Sequence, residues 1–260
     1  MDNSPELAAR GFLLNASLLR EKVPSFADYP FNLPAIRDLA MLPLHRAVTF
    51  IVGENGSGKS TLLEALAVAA GFNAEGGSRN FRFETRPSHS DLHRCLRLAR
   101  SQRRPRDGFF LRAESFFNVA TEVDHLNVVD SYGGRSLHEQ SHGEAFIALL
   151  NHRFGPQGLY FLDEPEAALS PTRQMAALVR IDQLVREGSQ FVIATHSPIL
   201  MAYPDAAILS VGEHGLSPIR YEETEHYVVT RQFLNNTDGM LRQLLDRSVP
   251  LDGKRDKPSA

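Results

Sequence analysis

A glycine-rich segment at residues 53–60 constrains the fold of this chain more than any other feature. It reads Gly-Glu-Asn-Gly-Ser-Gly-Lys-Ser and matches the pattern G-x-x-x-x-G-K-[ST]. The apolar run 48–52 before it has the composition of a buried strand, and residues 60–70 after it are strong helix formers that stop at Gly71. A strand, a glycine-rich turn and a helix in this order are typical of a phosphate-binding loop.

Each residue type in this loop has a chemical reason. The glycines allow successive backbone N–H groups to point at phosphate oxygens, and the start of the next helix presents a positive dipole to the same anion. We expect Lys59 to reach the terminal phosphates and the Ser60 hydroxyl to bind Mg²⁺. The expected phosphate-binding set also includes neighbouring loop and helix residues: Gly53, Asn55, Gly56, Ser57, Gly58 and Thr61.

The rest of the chain alternates between short apolar runs and helical segments. The expected elements are strands at 109–112, 159–162, 191–195 and 207–211, and helices at 144–153 and 172–187. This alternation predicts an α/β fold with a mainly parallel sheet flanked by helices on both faces. Residues 11–29 are expected to add an antiparallel β portion near the N-terminus.

Two acidic residues follow the apolar segment 159–162, where a strand is expected to end. Asp163 at a strand tip beside the phosphate loop can hold Mg²⁺ through water, and Glu164 can polarise a water molecule for attack on a terminal phosphate. His196 ends a later strand, where its imidazole can bond to a phosphate. The structural alternatives are an acidic turn for the two carboxylates and a packing role for the histidine.

Together these segments resemble the ABC-type ATPases, in particular the soluble stand-alone branch of AAA family ATPases, whose heads are similar to those of SMC and RecF proteins. The motifs are the phosphate loop, a Ser-His-Gly-Glu turn at 141–144, Asp-Glu-Pro-Glu at 163–166 and Thr-His-Ser-Pro at 195–198. The resemblance covers residues 48–197. It implies binding of ATP and Mg²⁺, ATP hydrolysis, and a small helical lobe that carries the 141–144 turn.

The resemblance also implies a homodimer with two ATP molecules between two heads. In such a dimer Ser141 and Gly143 of one chain contact the γ-phosphate held by Lys59 of the other, and residues 168–170 cross the interface. The family's metal-contacting glutamine has no clear match here, and Glu114, just after the expected strand 109–112, is the candidate that takes its place. The adenine-stacking aromatic is open between Phe26, Tyr29 and Phe31.

A competing motif overlaps the 141–144 turn. Residues 138–142 read His-Glu-Gln-Ser-His, which on a continuous helix would place two imidazoles and a glutamate as in zinc proteases. Gly134 and Gly143 on either side favour a turn over a continuous helix, and the spacing indicates no third ligand. The turn is therefore the preferred interpretation and the zinc site is the alternative.

A basic segment lies between Arg79 and Arg112. It holds ten arginines against three acidic residues, a local charge of +7. We expect residues 92–100 to form a helix with a basic face. Nucleic-acid contact is one interpretation of such a segment, and a solvated face that pairs with acids elsewhere is the other.

The composition bears on three properties of the protein: disulfide bonds, membrane-spanning segments and cellular location. The single cysteine, Cys95, excludes an internal disulfide, and no apolar run approaches the ~20 residues of a membrane-spanning helix. No leader segment is visible at the first residues, so a cytoplasmic location is expected. The 260 residues predict a single ATPase head at 1–250, with an insert and helical lobe at about 72–143, and a disordered tail at 251–260.

Residues and resemblance together imply a Mg-dependent ATPase whose dimerisation switches a nucleic-acid-related or partner-protein process. The ATP-binding subunit of a membrane transporter is the alternative, and a nucleotide-binding scaffold without turnover is a third interpretation. The expected site has the catalytic residues Lys59, Glu164 and His196 and the metal ligands Ser60, Asp163 and Glu114.

Overall fold

The computed structural model describes residues 11–78, 90–112, 121 and 136–245 of the chain. The strands are β1 (Leu13–Leu18), β2 (Met41–Pro43), β3 (Val48–Val52), β4 (Gly77–Ser78), β5 (Leu96–Arg100), β6 (Asp107–Arg112), β7 (Gly158–Asp163), β8 (Gln190–Ala194), β9 (Ala207–Gly212) and β10 (Gly215–Pro218). The α-helices are α1 (Pro34–Arg37), α2 (Lys59–Ala70), α3 (His142–Ala148), α4 (Pro171–Arg186), α5 (Pro198–Met201), α6 (Glu225–Asn235) and α7 (Thr237–Leu244). The expected tail at 251–260 lies outside the described residues.

A seven-stranded sheet with the order β10-β9-β3-β8-β7-β6-β4 carries the fold. The five strands from β9 to β6 in this order pair in parallel, and β4 and β10 add antiparallel edges. Every residue of β3, β7 and β8 is buried, as expected for central parallel strands covered on both faces. The predicted α/β class with a mainly parallel sheet is confirmed.

The parallel arrangement places the carboxyl ends of β3, β7 and β8 at one edge of the sheet. On one face α2 packs through Leu62 and Leu66 against Phe110 and Phe161 of the sheet. On the other face, buried side chains of α3 and α4 join Tyr160 in a second apolar cluster. Both faces are thus covered, and the loops beyond the carboxyl edge are held by a rigid base.

A second sheet of three antiparallel strands has the order β2-β1-β5. β1 lies within the 11–29 region for which antiparallel structure is expected. Gln190, in β8 of the large sheet, joins the two sheets: its Oε1 accepts hydrogen bonds from the N–H groups of Phe12 and Leu13 at 2.8 and 2.9 Å. Its Nε2 donates to the carbonyls of Leu13 and His45 at 2.8 and 2.9 Å, so this buried amide is fully bonded.

The prediction of a helix at 92–100 is wrong. A 3-10 turn spans Asp91–Cys95, and the residues after it form β5, which pairs antiparallel with β1. Leu96 is buried and Arg97 is exposed, an alternation with the period of a strand. Tertiary pairing with β1 satisfies the backbone of this segment and outweighs its helix propensity.

Three of the described arginines of the basic segment have partners within the molecule. Arg112 pairs with Glu64 at 2.6 Å, the Arg103 guanidinium lies 4.7 Å from the ring centre of Phe12, and Arg100 donates to the Ala69 carbonyl at 2.9 Å. These contacts support a structural role for this part of the segment, and nothing in them favours nucleic-acid contact. None of the described helices is long and apolar enough to cross a membrane.

Candidate functional site

The phosphate loop joins β3 to α2 at the carboxyl edge of the large sheet. Gly58 adopts the left-handed conformation with φ 97°, and a Cβ there would lie 3.0 Å from the Cβ of Leu33. Gly53 has φ 145°, and a Cβ there would lie 3.0 Å from the carbonyl oxygen of Val211. Glycine is therefore required at both positions by conformation and by space.

Lys59 is the first residue of α2 and is almost entirely buried, with 4% of its surface exposed. Its Nζ donates to the carbonyl oxygen of Glu54 within the loop at 2.7 Å. Burial lowers the pKa of Lys59, whereas the carboxylates of Glu164, Asp163 and Glu166 act in the opposite direction. The ammonium group is thus surrounded by acceptors at the place where the loop would hold an anion.

The two acidic residues stand where β7 ends. Asp163 is the last residue of β7, is 8% exposed, and lies with its Oδ2 3.9 Å from Nε of Arg112 at the end of β6. Glu164 has the backbone angles φ 48° and ψ 52°, which are uncommon for a residue other than glycine. Its N–H donates to the Ala194 carbonyl at 2.9 Å, which fixes this turn to the end of β8.

His196 follows the end of β8 and faces Glu164. Its Nε2 lies 3.6 Å from Oε1 of Glu164, and its Nδ1 lies 2.8 Å from Nε2 of His226 in α6. Burial lowers the pKa of His196, Lys59 adds to this effect, and Glu164 opposes it. These surroundings favour the neutral imidazole, which lies between the acidic turn and α6.

Glu166 holds the turn that carries His196. Its Oε2 accepts a hydrogen bond from the Thr195 hydroxyl at 2.7 Å, and its Oε1 accepts one from the backbone N–H of His196 at 2.5 Å. Ser197 continues this network, because its N–H donates to the Thr195 hydroxyl oxygen at 3.0 Å. The segment after β7 thus positions the segment after β8.

The 141–144 turn begins α3. Ser141 is the N-cap residue, and its side chain and that of Glu144 bond to each other's backbone N–H in a capping box. Arg173 of α4 reaches the turn, with Nη2 3.3 Å from Oε1 of Glu144. A Cβ at Gly143 would lie 2.7 Å from the carbonyl oxygen of Ala168, so this glycine permits close packing against the 168–170 segment.

The zinc interpretation of residues 138–142 is wrong. The first histidine belongs to the 3-10 turn Leu137–Glu139 and the second to α3, with the N-cap Ser141 between them. The two imidazoles are therefore not one turn apart on a single helix. Across the described ranges, no group of three or more His, Cys, Asp or Glu side chains is arranged to hold a metal ion.

A protein-family model agrees with this geometry. The model described as "AAA domain, putative AbiEii toxin, Type IV TA system" matches residues 48–115 and 99–202. The chain belongs to this family. The match spans the phosphate loop, the acidic turn and His196, and it supports the prediction of an ATP-binding P-loop ATPase.

Solved structures resemble this chain at low sequence identity and with TM-scores below 0.5. The SMC head domain from Thermotoga maritima has 15% identity and a TM-score of 0.43, covering 80% of this chain and 99% of that one. CbiO1 from Clostridium perfringens, part of an ABC transporter complex, has 18% identity and a TM-score of 0.47, covering 91% and 100%. An ATP-binding cassette of an ABC transporter in its ADP conformation has 18% identity and a TM-score of 0.48, covering 88% and 98%. No curated protein matches the sequence significantly.

Four of the expected residues lie close enough to act on one another electrostatically: Lys59, Asp163, Glu164 and His196. Ser60 and Thr61 lie in the first turn of α2 beside them. Ser141 and Gly143 contact Arg173 and Ala168 of their own chain. The expected metal contact Glu114 lies outside the described residues.

The three aromatic candidates differ in exposure. Phe31 is 4% exposed within an apolar core cluster, and the Arg20 guanidinium covers the ring of Phe26 at 4.2 Å. Tyr29 is 66% exposed, and its hydroxyl lies 3.4 Å from Oγ1 of Thr61. Tyr29 therefore offers a free ring face close to the phosphate loop.

A cavity of about 440 Å³ lies against the phosphate loop. Its walls are the loop, the β9–β10 hairpin and the start of α6, where His226 contributes. Neither His226 nor Glu166 is among the expected site residues. The Asp-Glu-Pro-Glu segment was a signal for Glu166, whereas His226 stands in a helix with no motif around it.

Proposed function

We propose that this protein hydrolyses Mg·ATP at the carboxyl edge of its large sheet, and that ATP joins two copies of the chain into a dimer. The observation that carries the proposal is the pairing of Glu164 and His196, 3.6 Å apart, beside the buried ammonium group of Lys59. A carboxylate that can accept a proton and two groups that can bond to phosphate thereby share one site.

The groups at the site fit a triphosphate and a hard cation. Backbone N–H groups of the loop and the Lys59 ammonium are anion-binding donors, and Lys59 would exchange the Glu54 carbonyl for phosphate oxygens. The Ser60 hydroxyl and the Asp163 carboxylate are the oxygen ligands that Mg²⁺ prefers. Bound Mg²⁺ supplies charge neutralisation between the phosphates. The exposed ring of Tyr29 is the proposed stacking surface for adenine.

Glu164 and His196 have distinct proposed roles. The Glu164 carboxylate orients a water molecule and accepts its proton as the water attacks the γ-phosphate. His196 donates a hydrogen bond to the γ-phosphate oxygen from its Nε2. The hydrogen bond from the Glu164 N–H to the Ala194 carbonyl, at 2.9 Å, supports these roles because it links the two turns.

The dimer proposal rests on the 141–144 turn. Ser141 is exposed at the start of α3, and its bonds to Glu144 and Arg173 hold its hydroxyl in place. In the proposed dimer this hydroxyl contacts the γ-phosphate bound by Lys59 of the second copy, and Gly143 contributes through its backbone. We propose that ATP-dependent dimerisation controls an interaction of this chain with another protein.

The test uses Glu164→Gln and Lys59→Ala with fluorescent ATP binding, phosphate release and light scattering. Glu164→Gln keeps the size of the side chain and removes the base, so we expect bound ATP, a dimer, and turnover lowered at least about a hundredfold. Lys59→Ala should lose ATP binding. Glu187→Gln, at an exposed position after α4, is the matched control and should behave as wild type. A Glu164→Gln protein that binds ATP yet stays monomeric would contradict the dimer, and unchanged turnover would contradict the base.

A further inference from the structure

The imidazole of His226 lies against that of His196 on the side away from Glu164. Nε2 of His226 is 2.8 Å from Nδ1 of His196, and the ring centroids are 5.0 Å apart at an interplanar angle of 63°. At this distance one nitrogen carries a proton and the other accepts it as a hydrogen bond. Two assignments are therefore available, and they give opposite chemistry to Nε2 of His196.

The groups in front of His196 select one assignment. If His196 donates from Nδ1, its Nε2 carries only a lone pair, whereas if His226 donates, Nε2 of His196 carries the proton. Within the described chain this Nε2 is buried without a hydrogen-bond partner, and Oε1 of Glu164 lies 3.6 Å from it. A carboxylate and a phosphate can only accept hydrogen bonds, so a donor at Nε2 matches both.

The surroundings of both imidazoles lower their pKa values and so favour the neutral rings. Burial lowers the pKa of His226, and the neighbouring His196 lowers it further. Burial and the Lys59 ammonium lower the pKa of His196. Two neutral imidazoles share a single proton along their contact, so the tautomer of each ring is coupled to that of the other.

A second set of contacts fixes the position of the helix that carries His226 relative to the turn that carries His196. The hydroxyl of Tyr221 donates to the carbonyl oxygen of Pro198, two residues after His196, at 2.9 Å. The buried Thr224 hydroxyl donates to the Tyr221 carbonyl at 2.7 Å and leads directly into α6. The start of α6 is thereby attached to the turn after β8 independently of the imidazole pair.

We propose that His226 is a positioning residue of this site. It donates its Nε2 proton to Nδ1 of His196 and so holds His196 in the tautomer that donates from Nε2 toward the γ-phosphate. The inference deepens the proposed ATPase function and rests on it for its catalytic consequence. The tautomer assignment itself rests on the His226 contact and on the Glu164 carboxylate in front of Nε2.

The first test measures tautomers directly by ¹⁵N NMR of histidine-labelled protein without nucleotide. The wild type should show His196 protonated at Nε2 and His226 protonated at Nε2. His226→Phe keeps a ring of similar size and removes the donor, so His196 should become a mixture of tautomers. His152→Phe, at an exposed position in the π-helical segment Leu149–Arg153, is the matched control and should leave the His196 signals unchanged. Nδ1 protonation of His196 in the wild type, or an unchanged tautomer in His226→Phe, would overturn the proposal.

The second test measures kinetics. His226→Phe should lower kcat about tenfold with KM within about twofold, because a misdirected hydrogen bond acts on the reacting phosphate more than on binding. His226→Gln carries an amide donor at the corresponding atom and should recover most of kcat. Added to His196→Ala, His226→Phe should have no further effect. Equal losses in the Phe and Gln variants would overturn the positioning role. A wild type without turnover would instead refute the proposed function and leave the NMR result to decide the tautomer.

Discussion

Glu166 is the residue that ties the acidic turn to the turn carrying His196. It accepts two hydrogen bonds, one from the Thr195 hydroxyl and one from the His196 backbone N–H. Both donors belong to the segment that follows β8, so a single carboxylate sets the direction from which His196 enters the site. Hydrogen bonds to a charged acceptor are among the stronger contacts in proteins.

We expect Glu166→Ala to lower kcat about tenfold while ATP affinity changes little. The variant leaves the Thr195 hydroxyl and the His196 N–H without their acceptor, and the imidazole loses its fixed approach to the phosphate. Glu166→Gln keeps one good acceptor oxygen, so its kcat should lie between those of Glu166→Ala and the wild type. Steady-state phosphate release and fluorescent ATP binding make the comparison, with Glu187→Ala as the exposed control. A Glu166→Ala enzyme with wild-type kcat would contradict this role.

The elements of the large sheet follow closely from local sequence. β3 coincides with the expected strand at 48–52, and α2 begins one residue before the expected helix and stops at Gly71. The apolar runs are long enough to be buried on both faces, and glycine punctuates them. β5 is different, because a segment with mixed leucine and arginine suits a helix or a strand and its state is decided by pairing with β1.

Gln190 carries the contact between the two sheets, and its loss should be costly. Gln190→Leu keeps the volume but leaves the N–H groups of Phe12 and Leu13 buried without an acceptor, so we expect about 3 kcal/mol of lost unfolding free energy. Urea unfolding followed by circular dichroism measures the change. Gln183→Leu, exposed on α4, is the matched control and should change stability by less than about 0.5 kcal/mol. Equal effects of the two substitutions would show that the amide network contributes little.

At the scale of the whole molecule, the 141–144 turn is held by its own chain: Ser141 and Glu144 contact Arg173 of α4, and Gly143 packs closely against Ala168. In the proposed dimer this turn also contacts the nucleotide held by Lys59 of a second copy. An interface of this kind pairs two different surfaces of the same chain, and two-fold symmetry closes it.

A mixing experiment tests the shared site. Ser141→Arg and Lys59→Ala should each be inactive alone, because every site in either dimer lacks one required group. An equimolar mixture should recover turnover, about one quarter of the wild-type value when the two variants pair at random, since each mixed dimer holds one intact site. Ser170→Arg lies in the segment proposed to cross the interface, on the same surface of the chain as Ser141. It should not complement Ser141→Arg, because each site of the mixed dimer then carries one of the two substitutions. If the mixture is as inactive as each variant alone, the proposal that each site takes residues from both chains and works independently of the other site would be contradicted.

The phosphate loop, the strand ends and the acidic turn could be recognised along the chain because each lies within a few residues and its conformation depends on local chemistry. Glycines at 53, 56 and 58 tolerate positive φ, and a buried apolar strand directs the next carboxylates to the sheet edge. Glu166, Gln190 and His226 acquire their contacts only when segments about 30 to 178 residues apart are packed together. A lone polar residue carries no local pattern for such a contact, because its hydrogen-bond partner is chosen by the packing of sheets and helices.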